Sequence, residues 1–188
     1  MRIFEIKGTD DLKYLMLSGI FPNPGCTAQS FLKSTNGMAC VSIQLMAAEN
    51  VAGCEHILTA ALLAAKSWGS KKNVSRSPAT EILLYSSGKR QIKEAIASMG
   101  AGNASSGWVV IAVSSDKVKL QELSCELSKY GKEDDSIIAI TSKKAPNLIE
   151  KFGISECELS IAGQLSDSSL KALTSLILEK VSLSELYR

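Results

Sequence analysis

The segment W-V-V-I-A-V at Trp108–Val113 is the clearest strand signal in the chain, and it organises the interpretation of the rest. Its β-branched residues follow one another without a polar interruption, which is typical of a central strand of a sheet. Outward from it, helical and strand-like patterns alternate in both directions without an internal repeat. This alternation predicts an α/β fold, with α+β as the alternative, in which helices flank a small, partly mixed central sheet.

The other elements are predicted from periodicity and from residues that begin or end helices. Ser77-Pro78 is a strong helix start, since serine supplies an N-cap oxygen and proline loses no needed N–H at the first helical position. Glu81–Tyr85 also fits a strand, but this start favours a helix. Further predicted strands are residues 2–7, Cys40–Met46 and Ser136–Ile140. Predicted helices run from Thr9 or Asp10 to Leu17, over Val51–Trp68, from Pro78 to the break at Ser86-Ser87-Gly88, and over 89–99, Asp116–Tyr130, Pro146–Phe152 and Asp167–Tyr187.

Size and composition favour one domain, 1–188, with an aliphatic core: 45% of the residues are hydrophobic and only 5% are aromatic. The charged N-terminus does not resemble a signal peptide, and no apolar run is long enough to span a membrane. We therefore expect a soluble, cytoplasmic protein. Five cysteines without a C-x-x-C pair, and a single histidine, argue against a zinc cluster. We expect free, buried thiols, no metal and no cofactor.

Positive charge is concentrated in one part of the chain. Residues 56–93 carry a net charge of +6, whereas the remainder carries −4. The basic residues of this window are Lys66, Lys71, Lys72, Arg76, Lys89, Arg90 and Lys93. A near-neutral protein with its positive charge around one turn is a candidate for binding an anion.

Lys89 and Arg90 directly follow Gly88, where a new helix is predicted to begin. Ile92, Ala95, Ile96 and Met99 share the face of that helix that must point inward, which leaves Arg90 outward. A helix N-terminus with unpaired N–H groups and two cations suits a phosphate or a carboxylate. The structural alternative is a simple helix–helix corner with solvated charges.

Two other helices carry candidate functional residues. On the helix Val51–Trp68, a narrow polar strip interrupts an otherwise apolar surface, and it consists of His56, Thr59, Lys66 and Ser67. Taken alone, a histidine such as His56 is more often structural than functional. The C-terminal helix has two apolar stripes, of which one suffices to dock it and the second needs another part of this protein or a partner as cover. The residues predicted to face a partner are Leu176, Val181, Leu183, Leu186 and Tyr187.

Several segments together resemble one family. These are H-I-L-T-A-A-L-L-A (56–64), S-P-A-T-E-I-L-L-Y-S-S-G-K-R-Q-I-K-E-A-I (77–96), Gly100 and I-L-E-K-V-S-L-S-E-L (177–186). The chain resembles the small kinase-binding subunit of the KEOPS complex, the PRPK-binding protein family, in its archaeal form. The resemblance implies a compact, non-enzymatic α/β protein. It also implies binding to the amino-terminal lobe of the atypical kinase of KEOPS, the complex that makes threonylcarbamoyl-adenosine (t6A) in tRNA. It further implies binding to tRNA by its 3′ CCA end.

Carried over to this sequence, the resemblance places Ser87, Gly88, Arg90 and Gln91 at the RNA site, with Lys89 beside them. His56 matches the family's helix-start histidine. By charge alone, Lys66, Lys71, Lys72 and Arg76 are further candidates for phosphate contacts, and Tyr85 and Trp68 are the nearby candidates for stacking on bases. The kinase-facing surface falls on the C-terminal helix. The alternative function is a small metabolite- or phosphate-binding domain or enzyme that uses the helix N-terminus after Gly88; the sequence shows no nucleophile–base set, P-loop or G-x-G-x-x-G motif.

Overall fold

The computed structural model describes residues 1–6, 12–35, 38, 41–102, 104–166 and 168–187. Its sheet has five strands, which are β1 (Arg2–Glu5), β2 (Tyr14–Pro22), β3 (Val41–Ala47), β4 (Trp108–Ser114) and β5 (Gly131–Glu133). β4 lies between β2 and β3 and pairs with both along its whole length. The outer edge of β2 is shared by β1 in its first half and β5 in its second half.

All pairings between these five strands are antiparallel. The mixed helix-and-strand class is therefore confirmed, while the sheet is antiparallel where a partly mixed one was expected. Strand direction depends on how the long connections cross the sheet, and local sequence patterns carry no signal for that. The alternation of helices and strands therefore did not imply the parallel pairing that usually accompanies it.

Eight helices are found in the part of the chain that the structure describes. They are α1 (Ala28–Thr35), α2 (Cys54–Gly69), α3 (Pro78–Ser86), α4 (Ile92–Met99), α5 (Lys117–Leu127), α6 (Ala145–Phe152), α7 (Glu156–Gln164) and α8 (Ser169–Leu183). Short 3-10 turns cover Ala48–Asn50, Asp135–Ile138 and Ser184–Tyr187. Six of the eight helices match predicted ones, whereas α1 and α7 were not predicted.

The alternation of side chains along β4 divides the core into two. Val109, Ile111 and Val113 pack against the helices α2, α3, α4, α6 and α8 on one face of the sheet. Trp108, Val110 and Ala112 pack against α1 and α5 on the other face. Because both faces are covered, every residue of β4 is buried. The sheet is thus the middle layer of three, and the larger helical layer carries the candidate site.

Two predicted elements are wrong. The helix expected to end at Leu17 is largely strand β2, of which the residues from Leu15 to Ile20 are buried. The beginning of that predicted helix, and the end of the first predicted strand at Lys7, lie outside the described residues. The strand expected at Ser136–Ile140 is mostly a 3-10 turn, in which Ile138 is buried in the larger core. In both cases a short apolar run was assigned the wrong structure. Strand β2 is buried on both faces from Leu15 to Ile20, so its sequence lacks the polar alternation that marks a strand, whereas in Ser136–Ile140 only Ile138 is buried.

The cysteines differ from the expectation of buried thiols. Cys125 and Cys157 are exposed, and Cys26 and Cys54 are half-buried. Cys40 lies outside the described residues. The helices of the described ranges include none that combines the length and the apolar character needed to cross a bilayer.

Candidate functional site

The turn that joins α3 to α4, Ser87–Gln91, is the centre of the candidate site and is called the α3–α4 turn below. Its hydroxyl groups close the end of α3, since Ser86 donates to the carbonyl of Ile82 at 2.8 Å and Ser87 to that of Leu84 at 2.7 Å. The backbone N–H of Lys89 then donates to Ser87 Oγ at 3.1 Å. These bonds use neighbouring residues only, so the local sequence S-S-G-K determines the shape of the turn.

Gly88 is required by its backbone conformation. Its φ is +63°, in the left-handed region that residues with a side chain rarely adopt. A Cβ atom at this position would meet nothing within 4 Å, so space is not the constraint. The open space above Gly88 leaves the backbone of the turn accessible to a ligand.

His56 supports the α3–α4 turn from inside the protein. Its ring is fully buried, and Nε2 donates to the carbonyl of Ser86 at 2.8 Å while Nδ1 accepts from the N–H of Ala52 at 3.2 Å. Burial lowers the pKa of His56 to about 4, although the hydrogen bond to Ser86 acts in the opposite direction. The imidazole is therefore neutral at pH 7. A fully buried ring cannot touch a ligand at the surface, so the structure gives His56 a supporting place under the turn instead of the ligand contact predicted from the sequence.

A depression of about 350 Å³ opens beside the turn and is called the turn depression. Three parts of the chain that are distant in sequence line it. They are Ser87, Gly88 and Lys89 of the turn, Lys151 and Phe152 at the end of α6, and Lys180, Leu183 and Ser184 at the end of the chain. Phe152 also packs edge-on against the ring of His56, with 5.6 Å between the ring centroids. The same buried histidine thus contacts Phe152 of one wall and Ser86, the residue directly before the wall residue Ser87.

The turn depression is positively charged. Lys151 donates to the carbonyl of Ser98 at 2.7 Å, and desolvation lowers its pKa, with Lys89 as a nearby cation acting in the same direction. Lys180 is paired with Glu158 at 2.8 Å. Hydrogen bonds from Lys180 and Ser155 lower the pKa of that carboxyl to about 2. Three lysines, Lys89, Lys151 and Lys180, line the depression, and among the residues that the structure describes the lining includes no carboxylate. Such a lining suits phosphate.

The other predicted RNA contacts are distributed around this centre. Arg90 and Gln91 are exposed at the edge of the α3–α4 turn. Lys66 is exposed on α2, with its amine 4.0 Å from the carboxylate of Glu185. Of the two stacking candidates, Tyr85 is buried and donates its hydroxyl to Glu185 at 2.6 Å, and Trp68 packs half-buried against the core.

The remaining basic residues lie on a separate loop, Ser70–Arg76, called the basic loop. Lys71, Lys72 and Arg76 are exposed there and do not line the turn depression. The loop is anchored by the buried carboxylate of Glu81, which accepts from the N–H groups of Val74 at 3.2 Å and Ser75 at 2.7 Å.

The predicted partner-facing residues divide into exposed and buried ones. Leu183 and Leu186 are 38% and 74% exposed. Val181 is completely buried and Leu176 is half-buried against the core, so both stabilise α8 on its own protein instead of facing outward. The side chain of Tyr187 lies outside the described part of the structure. The exposed pair Leu183 and Leu186 is called the C-terminal apolar patch.

The α3–α4 turn and the C-terminal apolar patch meet, because Leu183 lines the turn depression as well. Sequence reasoning missed Lys151, Phe152 and Lys180, which are separated from the turn by at least 60 residues and carry no local motif. It also placed Ile96 inward, whereas Ile96 is 47% exposed and Ala95 and Met99 alone are the fully buried residues of α4. In the described ranges, His, Cys, Asp and Glu side chains form no group of three that would hold a metal ion.

A family model described as kinase binding protein CGI-121 matches residues 27–185. The match extends from the start of α1 to the C-terminal 3-10 turn and includes every residue that lines the turn depression. No curated protein matches the chain.

Proposed function

The chain belongs to the CGI-121 family of kinase-binding proteins, and from this membership we propose that it is a non-enzymatic adaptor subunit of a KEOPS complex of the archaeal type. In this proposal it acts in the cytoplasm. It binds the atypical kinase of the complex, on the kinase's amino-terminal lobe, and holds tRNA by its 3′ CCA end. In this way it supports the formation of t6A by the complex.

The observation that carries the RNA part of the proposal is the turn depression. An unpaired strand end is bound by concave cationic surfaces that follow its phosphates, whereas a duplex needs a broader surface. The depression is concave and carries Lys89 and Lys151, and the exposed Arg90 and Gln91 directly follow Lys89 in the turn. A guanidinium holds phosphate through two parallel hydrogen bonds, and an amide donates to and accepts from base edges. These groups suit a single-stranded RNA end.

The observation that supports the kinase part is the C-terminal apolar patch. Leu183 ends α8 and Leu186 lies in the 3-10 turn that follows. Two neighbouring exposed leucines are costly to leave in water and are typical of a surface that a partner covers. Since Leu183 also borders the turn depression, a kinase bound at the patch lies next to RNA bound at the turn. An adaptor of this geometry holds the RNA close to the kinase without contributing a reactive group.

The RNA part is tested by binding assays with intact tRNA and with tRNA that lacks its 3′ CCA. We expect the truncated tRNA to bind at least about tenfold more weakly, because the contacts to the unpaired end are lost. Equal affinity for the two RNAs would contradict binding by the 3′ end. The protein is the same in both measurements, so a folding defect does not complicate the comparison.

The kinase part is tested by a pull-down of the KEOPS kinase with the variant Leu183→Glu. A carboxylate at the centre of an apolar interface is buried without a partner, so we expect association to fall below detection. The matched control is Leu165→Glu, directly after α7, where the leucine is 86% exposed, and it should retain the kinase. Retention by Leu183→Glu would place the kinase elsewhere.

The alternative function, a small phosphate-binding protein, uses the same turn. Gln91 is the N-cap of α4 and forms no side-chain cap, which leaves N–H groups of the first turn available to an anion. A thermal-shift series with inorganic phosphate and sugar phosphates separates the two functions, since only the alternative predicts clear stabilisation by these small anions.

A further inference from the structure

A second cavity, of about 250 Å³, lies at the opposite end of α6 from the turn depression. It opens where the end of β2, the end of β3 and the start of β4 meet the segment that leads into α6, and it is called the α6 cavity. Its walls include Phe21, Glu49, Ile137, Lys143, Lys144 and Asn147. None of these residues belongs to the sites considered so far.

The α6 cavity combines an aromatic surface with cations. Phe21 is 41% exposed, although it is the kind of side chain that strands usually bury. Ile137 and Ala48 extend the apolar wall, and the exposed Lys143 lies on the rim. An aromatic ring beside a lysine fits a ligand that has a planar apolar part and a negative charge.

One wall also presents an unused acceptor. Glu49 Oε2 is buried and accepts no hydrogen bond from the residues that the structure describes. The nearby Lys144 donates instead to the carbonyls of Ile137 and Val51, and desolvation lowers its pKa to about 8, with Glu49 acting in the opposite direction. The amine of Lys144 is therefore used within the wall. Oε2 of Glu49 remains available to accept a hydrogen bond from an N–H group of a ligand.

The α6 cavity is joined to the turn depression along α6. Asn147 lines the cavity, Lys151 lines the depression, and both line a shallow groove between them. These two residues are four positions apart on one helical face, about 6 Å along the axis. The floor of the groove is held by hydrogen bonds: the carbonyl of Ser98 accepts from Lys151 at 2.7 Å and from Asn50 at 2.9 Å, and Asn50 Oδ1 accepts from Asn147 at 3.0 Å.

We propose that the α6 cavity binds one nucleotide, with its base against Phe21, a base N–H at Glu49 Oε2 and its phosphate toward Lys143. The volume decides how much enters: typical ligand pockets measure roughly 300–1,000 Å³, so this smaller cavity encloses a base and leaves the ribose and phosphate at the rim. Since the groove leads to the turn depression, the nucleotide is an unpaired residue of the same RNA strand. This last step rests on the proposed function, and a free nucleotide is the other source of the same chemistry.

The test is a titration of the isotopically labelled protein followed by amide NMR shifts, with the RNA trinucleotide C-C-A and with adenosine 5′-monophosphate as probes. Gly107 lines the α6 cavity and reports on it, while Gly88 reports on the turn depression. We expect C-C-A to shift both amides with one saturation curve. If the mononucleotide shifts the amide signal of Gly107 and C-C-A does not, the α6 cavity binds a free nucleotide. That result would contradict the proposal that its ligand is part of an RNA strand.

The two proposals fail in different ways. If C-C-A shifts the amide signal of Gly88 and neither probe shifts that of Gly107, the proposal that the α6 cavity binds a nucleotide is wrong. The proposal that RNA binds at the turn is then supported. If neither amide responds to either probe, both are wrong.

Variants sharpen the same test. Phe21→Ala should weaken C-C-A binding about tenfold and Phe21→Trp should preserve it, because stacking on one base is lost in the first and kept in the second. Val118→Ala, at an exposed apolar position of α5 (56% exposed), is the matched control and should bind as the parent does. Lys143→Glu changes an exposed residue, so it tests the phosphate contact even if Phe21→Ala is unstable. Unchanged affinity in both Phe21→Ala and Lys143→Glu would overturn the proposal.

Discussion

The α3–α4 turn and the basic loop carry similar charge but differ in what surrounds them. Each directly follows a helix, and each rests on one buried ionisable side chain, His56 under the turn and Glu81 under the loop. The turn, however, faces lysines of α6 and α8 across the turn depression, whereas Lys71, Lys72 and Arg76 of the basic loop do not line that depression. The local density of basic residues thus identifies both regions as candidate anion sites. Only the tertiary contacts show that the α3–α4 turn borders the turn depression.

The largest expected effect concerns the support of the turn. The pKa of His56 falls from 6.5 in the unfolded chain to about 4 in the folded protein, so the unfolded state binds the extra proton first as the pH decreases. The free energy of unfolding is therefore unaffected by His56 above pH 6.5 and decreases by about 3 kcal/mol between pH 6.5 and 4. Urea unfolding at a series of pH values measures this loss.

The control for this prediction is His56→Gln. This variant should be less stable than the parent at pH 7, because the buried hydrogen bonds of the imidazole are changed. Its free energy of unfolding should not show the decrease between pH 6.5 and 4 that is attributed to the histidine. If the parent and His56→Gln show the same pH dependence, protonation of His56 does not govern the stability of the turn.

The support of the basic loop should show a smaller effect. Glu81→Gln replaces a buried carboxylate that accepts two backbone N–H groups, and we expect the free energy of unfolding to fall by about 2 kcal/mol. Hydrogen exchange should accelerate at Val74 and Ser75 but not in the α3–α4 turn. Glu94→Gln on the exposed side of α4 is the matched control, and equal stability of the two variants would contradict the anchoring role.

The two regions are compared directly by one substitution made in each. Arg90→Glu should weaken tRNA binding about tenfold or more, because charge reversal beside the turn depression repels phosphate, whereas Arg76→Glu in the basic loop should change affinity by less than about threefold. Both arginines are exposed, so neither variant should affect folding. Equal losses would mean that RNA covers both regions.

The smallest expected effect is on salt dependence. Lys89→Ala should reduce the slope of log affinity against log salt by about 0.7, which is the contribution of one phosphate contact to a single strand. Lys71→Ala should leave the slope unchanged. A reduced slope in the second variant would bring the basic loop into the RNA site.

The sequence predicted elements whose signals are local. Ser77 caps α3 by accepting from the N–H of Thr80, Gly153 ends α6 in the left-handed conformation, and the β-branched run at Trp108 forms the central strand. Strand β2 was missed because the contacts that determine it involve residues far away in the sequence. A side chain at Gly19 would collide with the carbonyl oxygen of Asp134 and with Ile137. This glycine therefore marks a close approach between β2 and the 3-10 turn Asp135–Ile138, which a local pattern does not reveal.

In the candidate site, too, features with a local sequence signal were predicted and those that depend on tertiary packing were not. The α3–α4 turn was predicted because its serines, glycine and cations are adjacent in sequence. Lys151 and Lys180 reach it only through the packing of α6 and α8, and burial gave His56 and Val181 roles different from the predicted ones. Local patterns identify which residues are charged or apolar, while the side of the surface on which each lies depends on the whole fold.

The hydrogen bond between His56 and Ser86 gives this protein an internal reporter. The chain has one histidine, so its imidazole signals in an NMR spectrum need no assignment by mutagenesis. They arise from the ring that contacts both Ser86 and Phe152. We therefore expect occupation of the turn depression to be measurable in the unlabelled, unmodified protein through the imidazole signals of this one ring.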